Sequence, residues 1–193
     1  MSNLLDLCQT RKYHTDKWFD DFKRHSYVEN FYDLAFEPYR TTATEILEVG
    51  IYEGESLRLW HDYFTNANIT GVDIMPVPMN ENLKGLPRVR EVRQNAYDPA
   101  IARLLADRTY DVMIDDGPHD IHSQHTFIQL YLPLLRAGGL MVIEDISGDL
   151  ESIIFLNRAI PADAHVVTGY VNMVKVDNWE RNDSLLFWVK KAK

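Results

Sequence analysis

Residues 110 to 146, YDVMIDDGPHDIHSQHTFIQLYLPLLRAGGLMVIEDI, contain two apolar runs, Val112 to Ile114 and Leu140 to Ile143. Each run is too short for a helix and ends in a pair of acids, Asp115-Asp116 and Glu144-Asp145, so both read as buried parallel strands. Between them, Thr126 to Leu135 carries apolar residues at helical spacing, and Ala137-Gly138-Gly139 follows as the expected left-handed helix stop. The stretch is therefore strand, helix, strand. In a right-handed crossover the carboxyl ends of both strands lie on one edge of the sheet, where ligands of open α/β sheets bind.

The four carboxylates are accordingly expected to converge. Like charges a few ångströms apart raise one another's pKa values, which calls for a cation, and all-oxygen ligation suits Mg²⁺, Mn²⁺ or Ca²⁺. His119 follows Asp116 by three positions and is placed to line the same pocket, an arrangement able to deprotonate an alcohol. One acidic pair after a strand is commonly a helix cap; two at matching strand ends point to a site. His119, His122 and His125 also form H-x-x-H-x-x-H, but these residues drift around a helix and no cysteine accompanies them, which disfavours zinc.

Upstream, Glu45 to Gly50 is a short strand running into the turn Gly50-Ile51-Tyr52-Glu53-Gly54, and a helix begins near Ser56. This is the opening of a nucleotide-binding βαβ unit. Glu48, Glu53 and Glu55 surround a helix N-terminus that would otherwise receive a pyrophosphate, so they oppose a dinucleotide and suit a cationic cofactor. Ile69 to Ile74 is the second strand, with Asp73 at its end, where an acid reads ribose hydroxyls. Arg88 to Arg93 reads as a third strand whose end places Asn95 within reach of an adenine ring, and Pro99 to Ala106 as a helix. Beyond Asp145 a helix from Leu150 to Ala159 precedes two strands, His165 to Val174 and Ser184 to Lys190, expected to pair as a hairpin that closes the sheet.

Residues 1 to 40 read as a helical cap segment rich in aromatics, ended by Pro38, and residues 41 to 193 as one domain. Packing explains the aromatics; the polar Thr15, Asp16, Lys17, His25 and Tyr27 suggest a lid over a pocket. The net charge of −9 argues against a nucleic-acid partner. Cys8 is the sole cysteine, no apolar run reaches membrane-spanning length, and the first residues lack the order of a signal peptide, so a cytoplasmic protein with no membrane partner is expected. Exposed aromatics such as Trp179 leave room for a homo-oligomer.

With TDKW, HSYVENFYDLAFEPYR, ILEVGIYEGESLRLW, ITGVDI, IDDGPH and VIEDI in this order, the chain resembles the class I S-adenosylmethionine-dependent methyltransferases. Within that class it is similar to the macrolide sugar O-methyltransferases and the cephalosporin-hydroxylase-like group. The resemblance runs from about Thr15 to Ile146. It implies a Rossmann-like, doubly wound, mostly parallel seven-stranded sheet with an antiparallel C-terminal hairpin and an N-terminal helical lid. It also implies S-adenosyl-L-methionine over Gly50 and Gly54, with Asp73 on the ribose, Asn95 near the adenine and Asp115 or Glu48 near the amine. Ser56, Ile74 and Ala96 complete that seat, and Thr15, Lys17, His25 and Tyr27 cover it. Mg²⁺ or Mn²⁺ would lie on Asp116, Glu144 and Asp145, with His119 as the catalytic base. The loop GIYEG carries fewer glycines than is usual in relatives. The expected reaction is O-methylation of a small hydroxylated acceptor such as a sugar. A metal-free O- or N-methyltransferase and a non-catalytic cofactor-binding protein are the alternatives.

Overall fold

Period-2 alternation sends successive strand side chains to opposite faces, and here both faces are apolar, so a layer of other elements has to cover each. The computed structural model describes residues 3–18, 26–75, 84–147, 150–172 and 185–193. Its seven strands are β1 (Glu45–Val49), β2 (Asn68–Val72), β3 (Val89–Val92), β4 (Tyr110–Asp115), β5 (Leu135–Ile146), β6 (Val166–Asn172) and β7 (Leu185–Lys191). They form one sheet in the order β3-β2-β1-β4-β5-β7-β6. Pairing is parallel from β3 through β5, and β7 runs antiparallel to both β5 and β6, as the expected terminal hairpin requires.

The described helices are α1 (Leu4–Arg11), α2 (Asp33–Phe36), α3 (Glu55–Tyr63), α4 (Pro99–Leu105), α5 (Ile121–Tyr131) and α6 (Leu150–Asn157). One face of the sheet, through Ile46, Val112, Ile114, Leu140, Val142 and Leu186, packs on α3 and the N-terminal segment. The other, through Leu47, Met113, Met141, Ile143 and Phe187, packs on α4, α5 and α6. Aromatic edges and faces close the first layer, where the Trp60 ring meets Tyr32, Phe36 and Phe64 at centroid separations of 5.5, 5.4 and 6.1 Å. Such pairs contribute about 0.5–1.5 kcal/mol each beyond burial.

Two expectations from the sequence need correction. The first forty residues are not continuously helical: α1 ends at a left-handed Lys12, residues 12 to 15 are irregular, and a wide turn with i→i+5 bonds, Val28–Tyr32, precedes α2. Ala137-Gly138-Gly139 does not end a helix either. Helix α5 stops at Tyr131, a 3₁₀ turn covers Leu132–Leu134, and the glycines lie inside β5. Gly138 does have positive φ, but it uses it beside the C-terminus, where its N–H donates to Ala192 O at 3.1 Å. None of the described helices is long and apolar enough to cross a membrane.

Candidate active site

The strand order reverses between β1 and β4, so the connections leaving their carboxyl ends part in opposite directions and open a crevice. Gly50 follows β1 with φ +91°, and its N–H donates to Val72 O at 2.9 Å. Asp116 follows β4, and its N–H donates to Val49 O at 2.8 Å. The crevice holds a cavity of about 810 Å³. Of the residues expected to seat a cofactor, Thr15, Gly50, Gly54, Ser56, Asp73, Ile74, Asn95 and Ala96 line it; so do Asp116 and His119. Lys17, Tyr27, Glu48 and Asp115 lie behind that lining, and His25 and Trp179 fall outside the described residues.

Strand alternation decides where the acids go, and it divides them. Glu48 shares a face with Ile46, and Glu144 shares it with Val142, so both point toward the N-terminal segment. Asp115 shares the opposite face with Met113. There its Oδ1 accepts from Tyr97 Oη at 2.6 Å, while Oδ2 is buried and accepts no hydrogen bond among the described residues. Burial pushes the Asp115 carboxyl up to about 7 despite the tyrosine. The expected gathering of four acids at two strand ends is therefore corrected: Asp115 turns away, and Glu48 from β1 joins Asp116 and Glu144 instead.

A cation sits among those three. Lys17 is wholly buried, and its Nζ lies 2.7 Å from Asp116 Oδ2, 2.7 Å from Glu144 Oε2 and 3.4 Å from Glu48 Oε1. Burial acts to lower the lysine pKa, but Asp116, Glu144 and Glu48 outweigh it and hold the ammonium well above its ordinary value. Glu48 also accepts from Ser56 Oγ at 2.8 Å, yet burial still lifts it to about 7. Asp116 is held below the usual carboxylate range, because Lys17 and His119 more than offset its burial. Tyr32 donates to Glu144 and Tyr27 to Asp145.

The other oxygen of Asp116 faces His119, whose Nε2 lies 3.2 Å from Oδ1 and 3.5 Å from Asp145 Oδ2. Asp116, His119 and Asp145 each offer a donor atom, all within 4.8 Å of one another, and so could hold an ion. The two carboxylate oxygens suit Mg²⁺ or Mn²⁺, whereas an imidazole nitrogen is no preferred ligand of Mg²⁺, which leaves His119 for proton transfer beside the ion. Glu144, expected as a third acidic ligand, has both oxygens taken by Lys17 and Tyr32 in this arrangement. His119 at φ +56° and Asp145 at φ +49° both hold left-handed backbones, and β5 is irregular against β7 between Ile143 and Ile146. Backbone strain of this kind costs about 1–3 kcal/mol per residue and gathers at functional sites.

Asp73 organises the loop above this floor. Its Oδ2 accepts from the N–H groups of Ile51 and Tyr52 at 2.7 and 2.9 Å, and its Oδ1 from Met75 N at 2.7 Å. Asn95 Oδ1 accepts from Tyr97 N at 3.1 Å, whereas the cap of α4 is Asp98, which frees Asn95 from that duty. Sequence reasoning assigned Lys17 to the cofactor and passed over Tyr32 and Tyr97. A lysine amid aromatics was the available signal, since a segment so apolar buries whatever charge it carries.

The chain is 36% identical over 141 residues to the 8-demethyl-8-alpha-L-rhamnosyl tetracenomycin-C 2'-O-methyltransferase of Streptomyces olivaceus, covering 68% of this chain and 35% of that protein. It is 35% identical over 124 residues to the mycinamicin VI 2''-O-methyltransferase of Micromonospora griseorubida, covering 59% of this chain and 30% of that protein. The chain thus spans about a third of the length of the curated relatives it matches. In fold it is similar to the MycE methyltransferase of mycinamycin biosynthesis, solved with Mg, SAH and mycinamycin VI. That match has a TM-score of 0.73 and 24% identity, over 100% of this chain and 55% of that one. The model of a methyltransferase domain matches residues 47–146, from β1 through the acids that end β5, and the chain belongs to that family.

Proposed function

We propose that the chain is an S-adenosylmethionine-dependent O-methyltransferase, assisted by a divalent ion, that methylates a hydroxyl of a sugar or similar small natural-product-like acceptor. The observation that carries this reading is the meeting of Asp116 and His119, which line the 810 Å³ cavity beside the Gly50 turn, with buried Asp145 behind them. The similar proteins named for O-methyl transfer to rhamnosyl and mycinamicin acceptors support the acceptor class.

S-adenosylmethionine supplies a methyl group already activated on a sulfonium, and the chain's task is to place an acceptor oxygen in line with it and ionise that oxygen. The turn from Gly50 to Gly54 and the residues Ser56, Asp73, Ile74, Asn95 and Ala96 line the cavity and would hold the adenosine end, with Thr15 as cover. Buried Asp115, with one oxygen anchored by Tyr97 and the other unpaired, suits the cofactor's ammonium. Asp116 and Asp145 would hold Mg²⁺ or Mn²⁺, with His119 at the same edge. When bound, such an ion supplies Lewis acidity that favours ionisation of an alcohol. His119 Nε2 receives the proton, and a positively charged ring there faces two carboxylates. Positioning of the two reactants contributes several kcal/mol, on the order of measured effective molarities.

A second reading, a metal-free methyltransferase, is favoured by one observation: Lys17 already neutralises part of the carboxylate cluster. One experiment addresses both. Calorimetry with S-adenosylhomocysteine, followed by methyl transfer to rhamnosides with and without EDTA, is expected to show binding and EDTA-sensitive turnover. No binding removes the methyltransferase reading, and EDTA-insensitive turnover selects the metal-free one.

A further inference from the structure

An ammonium removed from water loses several kcal/mol of hydration, which close carboxylates have to offset. Lys17 meets that demand with Asp116 and Glu144, both at 2.7 Å. It comes from an irregular stretch whose other members, His14, Thr15 and Asp16, line the cavity. The stretch is tied down at Lys17 O, which accepts from Val28 N at 2.9 Å. Asp116 spends Oδ2 on Lys17 and turns Oδ1 to His119. A divalent ion at Asp116 and Asp145 would therefore share one carboxylate with a fixed positive charge.

Resting on the reading that a divalent ion binds there, we propose that Lys17 is the chain's own competitor for that ion. Its single charge is shared among Glu48, Glu144 and one side of Asp116 when the ion is absent. It weakens the ion's hold when the ion is present, and it confines the ion to the His119 side of Asp116. Because Lys17 adjoins the cavity wall, ion affinity becomes coupled to where that wall stands. Any acceptor or cofactor that draws residues 14 to 17 outward tightens the ion.

A purely structural Lys17 predicts the reverse sign, since loss of the ammonium would let repelling carboxylates splay apart and loosen the ion site. The test is Mn²⁺ titration of the full chain, followed by the electron paramagnetic resonance of free Mn²⁺, in wild type and Lys17→Met. Affinity in the variant is expected to rise on the order of tenfold, the scale on which one charge at this range shifts a carboxylate equilibrium. Its melting temperature should fall in EDTA and recover with Mn²⁺ by more than the wild-type gain. If Lys17→Met does not fold in EDTA, Lys17→Gln, which keeps a polar side chain there without the charge, gives the same comparison. Wild-type binding with equal or weaker binding in the variants overturns the role of Lys17 and leaves the ion standing. Absence of Mn²⁺ binding in all of them overturns the ion reading and this proposal with it.

Discussion

Gly50 and Asp116 touch backbone to backbone: a Cβ built on Gly50 would lie 2.6 Å from the carbonyl carbon of Asp116 and closer still to its oxygen. This contact sets the width of the crevice between β1 and β4. Gly50→Ala adds a methyl with no room and forces a side chain onto a φ of +91°. Urea unfolding is expected to show a loss of about 3 kcal/mol or more.

His119→Ala is expected to lower kcat by roughly 10²- to 10⁴-fold, the usual contribution of a general base. The affinity for S-adenosylhomocysteine should stay within about twofold, since His119 faces Asp116 and Asp145, while the loop amides are held by Asp73. Undiminished turnover would remove His119 from the base role.

Asp115→Asn leaves the shape of the buried site unchanged but removes the charge beside the unpaired oxygen. S-adenosylhomocysteine should bind roughly 10- to 100-fold more weakly, in line with the loss of one hydrogen bond to a charged group. 5′-Methylthioadenosine, which lacks the ammonium, should bind equally well to both proteins. Tyr97→Phe, by releasing Oδ1, should show the same pattern at smaller amplitude. Equal weakening of both ligands would mean that Asp115 does not meet the ammonium.

Glu48 gives a pH dependence with a definite sign. Burial lifts its carboxyl from 4.5 to about 7 in the folded chain, so the folded state holds the proton more tightly than the unfolded one. Its contribution to stability is complete below pH 4.5 and is lost as the pH rises through 7. Glu48→Gln should therefore gain stability relative to wild type at pH 8.5, on the order of 3 kcal/mol, and show little gain at pH 4.5. Melting curves at the two values, in EDTA, would reveal a constant difference if Glu48 kept an ordinary pKa.

Much of the sheet was legible because the parallel strands β1, β2, β4 and β5 announce themselves locally, by an apolar run with an abrupt acidic or glycine end. Val112 to Ile114 and Glu45 to Val49 needed nothing beyond their own residues. The crevice followed from the order of those runs. What could not be read was any pairing set by the third dimension. Lys17 meets its acids across 99 and 127 positions of chain, and no local spacing encodes that. The parting of Asp115 from Asp116 was present in principle in the two-residue period of β4, but only the packing of Tyr97 on one face and Lys17 on the other gives the alternation chemical meaning. Ala137-Gly138-Gly139 misled because a positive φ serves a strand irregularity as well as a helix stop.

The wide turn Val28–Tyr32 places residues five apart one above the other, so Tyr27 and Tyr32 stand on the same side with ring centroids 6.2 Å apart. That alignment lets one short segment reach consecutive acids, Asp145 and Glu144, with two hydroxyls. Ordinary α-helical winding would carry the second ring well away from the first. The spacing of this segment thus acts as a phase: regular α-helical winding of the same residues would keep every aromatic in the chain, yet turn the second hydroxyl about 140° around the axis from the first and leave one of the two acids without its donor.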